Sequence, residues 1–270
     1  MEKTFGKCAL CGQEGELTFE HIPPNAAFNN KPIRSVSGDQ IINDKGRMPW
    51  DTSGLKYKHQ QRGMGIYSLC NLCNRNTGRW YGTTYKLMAR AGHEFLSKPI
   101  PQGNDVVRIN NIYPLRFVKQ VVSMFCSINS NYNNLASLQQ FVLEKEQRGL
   151  NNKDYKICMY FTRSNYMKYA PLTTLLFGTV YDSIAISVSE ITAYPLGFLL
   201  YIDPIPQNDY KGIDITAFSE FDYNEKVSIE MPICIYEMND LFPTFYRSKE
   251  EIINTTKQQE EWKVINAKKC

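Results

Sequence analysis

An α+β fold is what this sequence predicts, and three observations point to it. Two Cys-x-x-Cys pairs, Cys8/Cys11 and Cys70/Cys73, flank a strand-like stretch and are followed by a helix-like one. Two helical patterns then occupy residues 113–150. Beyond them the chain alternates in short β-like runs, as a mostly antiparallel sheet does. With 270 residues and 43% apolar content, there is enough material for one large domain or two ordinary ones.

The elements follow in order. Residues 12–22, "GQEGELTFEHI", read as a turn and a strand. Pro23–Pro24 cannot continue a paired strand, so the chain turns out there. Residues 25–65 are rich in Asn, Gly, Asp, Arg and Lys, with "SGD", "NDKG" and "TSG" as turn signals. An insertion of that length is usually functional or mobile. Residues 74–96 suit a helix despite Gly78 and Gly82, with Trp80, Tyr81, Tyr85, Met88 and Phe95 as apolar content.

"SKPIPQGND" at 97–105 reads as a linker, dividing the chain into 1–96 and 106–270. Pro114 then stands at a helix start before a long apolar pattern. "LASLQQFVLEKEQRGL" makes a second helix, with Gly149 as its stop. "YKICMYFT", "TLLFGTVY", "SIAISVSEI", "GFLLYID" and "KVSIEMPICIYEM" are the strands, and a polar helix around 247–262 closes the chain.

The cysteine pairs carry the strongest chemical signal. A two-residue spacer lets both thiolates of a pair turn to one ion, and two pairs complete a tetrahedral four-cysteine zinc site. The N-terminus lacks an apolar leader, which argues for a reducing, cytoplasmic setting and for metal over disulfides. With sulfur in all four positions such a site is structural, because catalytic zinc keeps a position open for water. Cys126, Cys158 and Cys234 stand alone in apolar runs and read as small core residues, while Cys270 has no evident role.

A four-cysteine clip joins residues 12–22 to residues 74–90 and so draws Glu20 and His21 toward Asn74. A carboxylate, an imidazole and an amide oxygen are the parts of a single-metal hydrolytic site. Oxygen ligands suit Mg²⁺ or Mn²⁺, and a neutral imidazole can take a proton from water near neutral pH. Charge agrees with a polyanionic substrate. Residues 1–120 hold 17 Lys/Arg against 9 Asp/Glu, whereas the remainder holds 14 against 18. No apolar stretch reaches membrane-spanning length, so no membrane partner is expected.

"CALC…ELTFEHIPP…LCNLCNRNTG" resembles the zinc-clipped HNH endonucleases over residues 5–95, about a third of the chain. The resemblance implies a ββα-metal fold in the N-terminal module. It makes Glu20 a ligand of a catalytic divalent metal, His21 the general base and Asn74 the last metal ligand. It further implies phosphodiester hydrolysis of nucleic acid, DNA ahead of RNA, and a place in restriction or antiviral defence. Arg75, Arg79 and Lys86, on or near the helix after Asn74, are candidates for phosphate contacts.

The sequence departs from the family at two points. Gly65 stands where an Asn usually orients the histidine, and its carbonyl or His59 from the insertion are the substitutes to look for. Thr77–Gly78 replaces a usual Lys-Gly. His93 reads as packing or a helix-end charge. Residues 106–270 carry no catalytic motif and suit specificity, sensing, or contact with a protein partner or second copy. The competing reading of the whole chain is a non-catalytic zinc-clipped binding module with a degenerate site.

Overall fold

In this computed structural model the described residues are 3–44, 47–99, 106–132, 135–151, 153–179, 182–204 and 210–267. The first unit is a three-stranded antiparallel sheet in the order β1 (Thr4–Lys7), β2 (Glu14–His21), β5 (Gly65–Cys70). Between β2 and β5 runs the insertion. It holds a two-stranded ribbon, β3 (Ile33–Ser35) with β4 (Lys58–Gln60), and a short helix α1 (Gly38–Ile42). β5 passes directly into α2 (Asn71–Thr77), a π turn over Gly78–Gly82, and α3 (Thr83–Leu96). The helix expected over 74–96 therefore forms, starts at Asn71, and absorbs its two glycines in the π turn.

The second part centres on α4 (Pro114–Ile128), with Pro at its first turn as the sequence predicts. Thirteen of its 15 residues are buried, so it is a central helix packed on all sides rather than an amphipathic surface helix. α5 (Ala136–Leu143) follows. It stops well short of Gly149, which takes φ +77° and donates its N–H to the Ser219 carbonyl instead of ending a helix. Lys119 of α4 explains the early stop. Its ammonium, fully buried, donates to the carbonyls of Phe141 and Glu144 at the end of α5.

A five-stranded antiparallel sheet in the order β11 (Ile213–Asp214), β7 (Tyr155–Phe161), β10 (Leu196–Ile202), β9 (Asp182–Ala193), β8 (Lys168–Thr179) completes this part. β6 (Val106–Ile112) pairs with β12 (Val227–Pro232), and α6 (Lys249–Ala267) closes the described chain. The α+β class and the antiparallel sheets are as expected.

The division at 97–105 does not appear as a break in the core. Of that segment, residues 100–105 lie outside the described residues. One continuous apolar cluster runs from Cys8 and Leu69 through Tyr81 and Met88 to Phe117, Phe125, Phe198 and Met231. Polar contacts cross the same line: the Tyr81 hydroxyl donates to the Val142 carbonyl at 2.7 Å, and the Gln139 amide donates to the Ala9 carbonyl at 2.9 Å. The front part is too small to bury its own faces alone, and α4 and α5 supply the missing surface.

Candidate functional site

The clip is built from two turns. After β1 the chain reverses through Cys8–Gly12, with Gly12 at φ +72° and its N–H donating to the Cys8 carbonyl at 2.9 Å. Cys70 ends β5 and caps α2, and Cys73 lies in the first turn of that helix. The four sulfurs lie within 4.8 Å of one another, and the Cys11 and Cys70 sulfurs are 3.9 Å apart. Tetrahedral Zn–S bonds of about 2.3 Å set sulfurs about 3.8 Å apart, so the cluster fits zinc. The electrostatics agree. A hydrogen bond from the Cys73 thiol, helped by backbone N–H groups of Cys70, Cys11 and Leu10, holds the Cys8 thiol down at about 4 despite its burial. The donor, Cys73, is pushed up in return, as is Cys11 by burial. A thiolate in a nest of sulfurs and N–H dipoles is ready for a cation.

β2 carries the two residues of the dyad to the edge of this clip, and it splits them. Successive side chains of a strand face opposite ways. Glu20 turns inward and is 5% exposed; Ser127 of α4 donates to its Oε2 at 2.9 Å. Burial pushes its carboxyl up to about 8, although the hydrogen bond from Ser127 pulls it back. The Ser68 hydroxyl is itself buried and completes no hydrogen bond among the described residues. Asn74 lies on the same side. Its amide donates to Thr18 Oγ1 at 2.9 Å and to the Phe19 carbonyl at 3.3 Å, so it grips the backbone just before Glu20.

His21 belongs to the other, half-exposed side. Its ring meets Phe19 edge-on at 5.1 Å, and Phe19 meets Tyr67 at 5.5 Å. Its Nε2 lies 2.9 Å from the Arg62 carbonyl. A carbonyl only accepts, so Nε2 carries the proton and Nδ1 is the basic nitrogen of the neutral ring. The Asn25 amide nitrogen stands 3.4 Å from the same Nε2, a contact between two donors once the ring donates to Arg62. The insertion thus supplies the orienting group, but through the Arg62 backbone. It is neither the Gly65 carbonyl nor His59, which pairs across the ribbon with Arg34.

Gly65 has its own reason. It pairs with His21 across the β2–β5 ladder, and a Cβ there would lie 2.1 Å from the Glu20 carbonyl and 2.8 Å from the Phe19 ring. A side chain is sterically excluded at this position.

Sequence reasoning missed Asn29. It is 1% exposed. Its amide donates to the carbonyls of Pro23 and Met64 at 2.7 Å each, and its Oδ1 accepts from Met64 N–H at 2.7 Å. It therefore locks the segment after β2 to the segment that holds Arg62. Gly63, at φ +89°, passes so close to Asn29 that a Cβ would meet its carbonyl oxygen at 2.2 Å.

Arg75 and Arg79 are exposed and Lys86 half-exposed along the helix after Asn74, and none has an ion-pair partner among the described residues. His93 packs as expected: it bonds the Tyr194 hydroxyl at 2.7 Å through Nδ1. Cys126 and Cys158 are buried, Cys234 is half-buried, and Cys270 lies outside the described residues. No helix among the described residues is long and apolar enough to cross a membrane. Compared with known families, curated proteins and solved structures, the chain matches none.

Proposed function

We propose that this chain is a metal-dependent nuclease of the HNH type, hydrolysing phosphodiester bonds of nucleic acid with DNA as the preferred substrate. The observation that carries the reading is the setting of His21. It sits half-exposed at the end of a zinc-clip strand, with Nε2 tied to a backbone carbonyl and Nδ1 left basic. That is the arrangement a general base needs.

In the proposed reaction a water oxygen attacks phosphorus in line while its proton passes to His21 Nδ1. The bond from phosphorus to the 3′-oxygen breaks, and that oxygen leaves with a proton from solvent. General-base help of this kind is worth about 10²–10⁴-fold. Arg62 holds the ring through its carbonyl, and Asn29 holds the Arg62 segment. Phe19 packs against one edge of the ring.

The donor set for the divalent metal is Glu20 and Asn74, hard oxygen ligands suited to Mg²⁺ or Mn²⁺. The chemistry of the place fits a cation. A buried carboxyl raised to about 8 has no cation beside it to favour its charged form, and the nearby buried Ser68 hydroxyl completes no hydrogen bond among the described residues. When bound, such an ion would supply Lewis-acid stabilisation of phosphate charge. The zinc of the four-cysteine clip is the structural partner of this site. Service in restriction or antiviral defence belongs to the same proposal and rests on the sequence likeness.

One observation favours the second reading, a zinc-clipped nucleic-acid- or protein-binding module without catalysis. The Glu20 carboxyl faces Ser127 in the interior, on the opposite side of β2 from His21. The two readings separate in a cleavage assay on plasmid DNA, single-stranded DNA and RNA with Mg²⁺ or Mn²⁺. The nuclease reading expects cleavage by the wild type and none by folded His21→Ala. Equal background from both proteins points to the binding module.

A further inference from the structure

The insertion between β2 and β5 carries a cationic surface that the hydrolytic site does not use. β3 and β4 pair in antiparallel register, Arg34 opposite His59 and Ser35 opposite Lys58. Alternation puts Arg34 and His59 on one face and Lys58 on the other. Tyr57, 49% exposed, stands between them. The Arg34 guanidinium lies 5.0 Å from its ring centre, and the His59 imidazole meets it edge-on at 5.0 Å.

The ribbon is a built feature. The Gln40 side chain of α1 bonds both backbone groups of Lys56, at 2.9 and 3.0 Å. Nearby Arg47 is consumed by ion pairs with Asp44 and Asp51. By contrast, Arg34, Lys56, Lys58 and Arg62 meet no carboxylate among the described residues. A rigid ribbon with unpaired cations and one exposed aromatic is the complement of a polyanion. Its place matters too. Two residues beyond the end of β4 comes Arg62, whose carbonyl holds His21.

The geometry points to this ribbon as a groove reader for duplex DNA, entering the major groove and setting the adjacent phosphodiester beside His21. The argument for DNA is dimensional. A two-stranded ribbon fits the B-form major groove, about 12 Å wide. The A-form major groove of duplex RNA is too deep and narrow for side chains. This inference rests on the nuclease reading for its consequence, since a docked ribbon delivers substrate to His21. Binding itself is separable from cleavage.

The test is fluorescence anisotropy with the zinc-loaded full chain, without Mg²⁺ or Mn²⁺. The probes are a labelled DNA duplex, an RNA duplex of the same sequence, and the DNA single strand. Arg34→Ala/Lys58→Ala is compared with Lys153→Ala/Lys226→Ala, which removes the same charge outside the insertion. Zinc content and circular dichroism confirm that both variants fold.

The expected result is DNA duplex binding at least about tenfold tighter than RNA duplex binding. The ribbon double variant should weaken the DNA complex about tenfold. It should also lower the salt slope by about 2, one for each lost phosphate contact. Tyr57→Ala should weaken it further, and the control pair should not. Equal affinity for both duplexes, preference for the single strand, or a ribbon variant indistinguishable from the control overturns the inference. Duplex DNA binding through the ribbon with no cleavage once Mg²⁺ or Mn²⁺ is added would sink the nuclease reading and leave this one standing.

Discussion

Replacing Asn29 by Ala tests whether His21, the proposed general base, is held at second hand. The Asn29 side chain satisfies three backbone groups, the carbonyls of Pro23 and Met64 and the Met64 N–H. Ala satisfies none of them, and the Met64 carbonyl alone keeps another partner, the Ile22 N–H at 3.1 Å, so two groups are orphaned. Each orphaned buried group costs about 1–3 kcal/mol, and water reaching the Met64 side keeps the sum toward the lower end. The expected loss is about 3 kcal/mol, a large part of the roughly 5–15 kcal/mol that holds a typical domain. The four sulfurs are untouched, so zinc content should stay at one per chain. His21, however, loses its fixed Arg62 carbonyl, and cleavage should fall far more than the folded fraction does. Urea melts, zinc analysis and cleavage at a temperature where the variant stays folded measure the three effects. Asn29→Asp is the sharper companion, because it aims a carboxylate oxygen at two carbonyls. An Asn29→Ala protein with stability within about 0.5 kcal/mol of wild type and undiminished cleavage would refute the reasoning.

Other perturbations separate the parts. Cys70→Ser, or removal of zinc by a strong chelator, should abolish cooperative folding of the front part. Zinc binding is worth about 10 kcal/mol or more, and a wild-type melt after either treatment would contradict the clip. Glu20→Gln should keep the fold, since Ser127 can donate to the amide oxygen, while cleavage drops more than about a hundredfold. Glu20→Ala should also cost about 2 kcal/mol by orphaning the Ser127 hydroxyl, and equal melts for the two variants would deny that role. Lys119→Met should change the pH dependence of stability. Burial holds the folded ammonium down to about 7, with Glu144 partly opposing, against an ordinary value of 10.5. Between those values the unfolded chain binds more protons, so wild-type stability rises with pH. Relative to Lys119→Met it should gain roughly 2 kcal/mol between about pH 7 and pH 9. A constant difference would show that Lys119 stays charged in the fold.

Much of this architecture is written locally. The cysteine spacing gives the clip, Pro114 and its apolar pattern give α4, and the runs around Ile157 and Leu199 give the central strands of the large sheet. Other features depend on partners far away in the chain. β6 reads "VVRINNI", with little alternation, and becomes a strand because Val227–Pro232 pairs with it. α5 stops where Lys119, 24 residues before its last residue, takes its carbonyls. Asn29 sits in an asparagine-rich stretch, and nothing local marks it, since its acceptors become a set only when β5 returns. Glu20 is different. The two-residue period of β2 already says that neighbours face opposite ways. That signal was available against placing Glu20 and His21 on one surface.

The burial of Glu20 also changes what residues 106–270 can be. A detached specificity domain would leave the zinc unit chemically complete. Here the carboxyl beside His21 is enclosed by α4, through Ser127, and the strand end is held again where the Tyr169 hydroxyl of β8 donates to the Ile22 carbonyl. The four cysteines, which could hold a zinc ion, join the turn before β2 to the end of β5 and the start of α2, and α4 and β8 hold β2 at its other end. The dyad sits between the two clamps. A change in the packing of α4 therefore acts on the Glu20 carboxyl directly, with no intervening linker to absorb it. The second part of the chain is a wall of the candidate site.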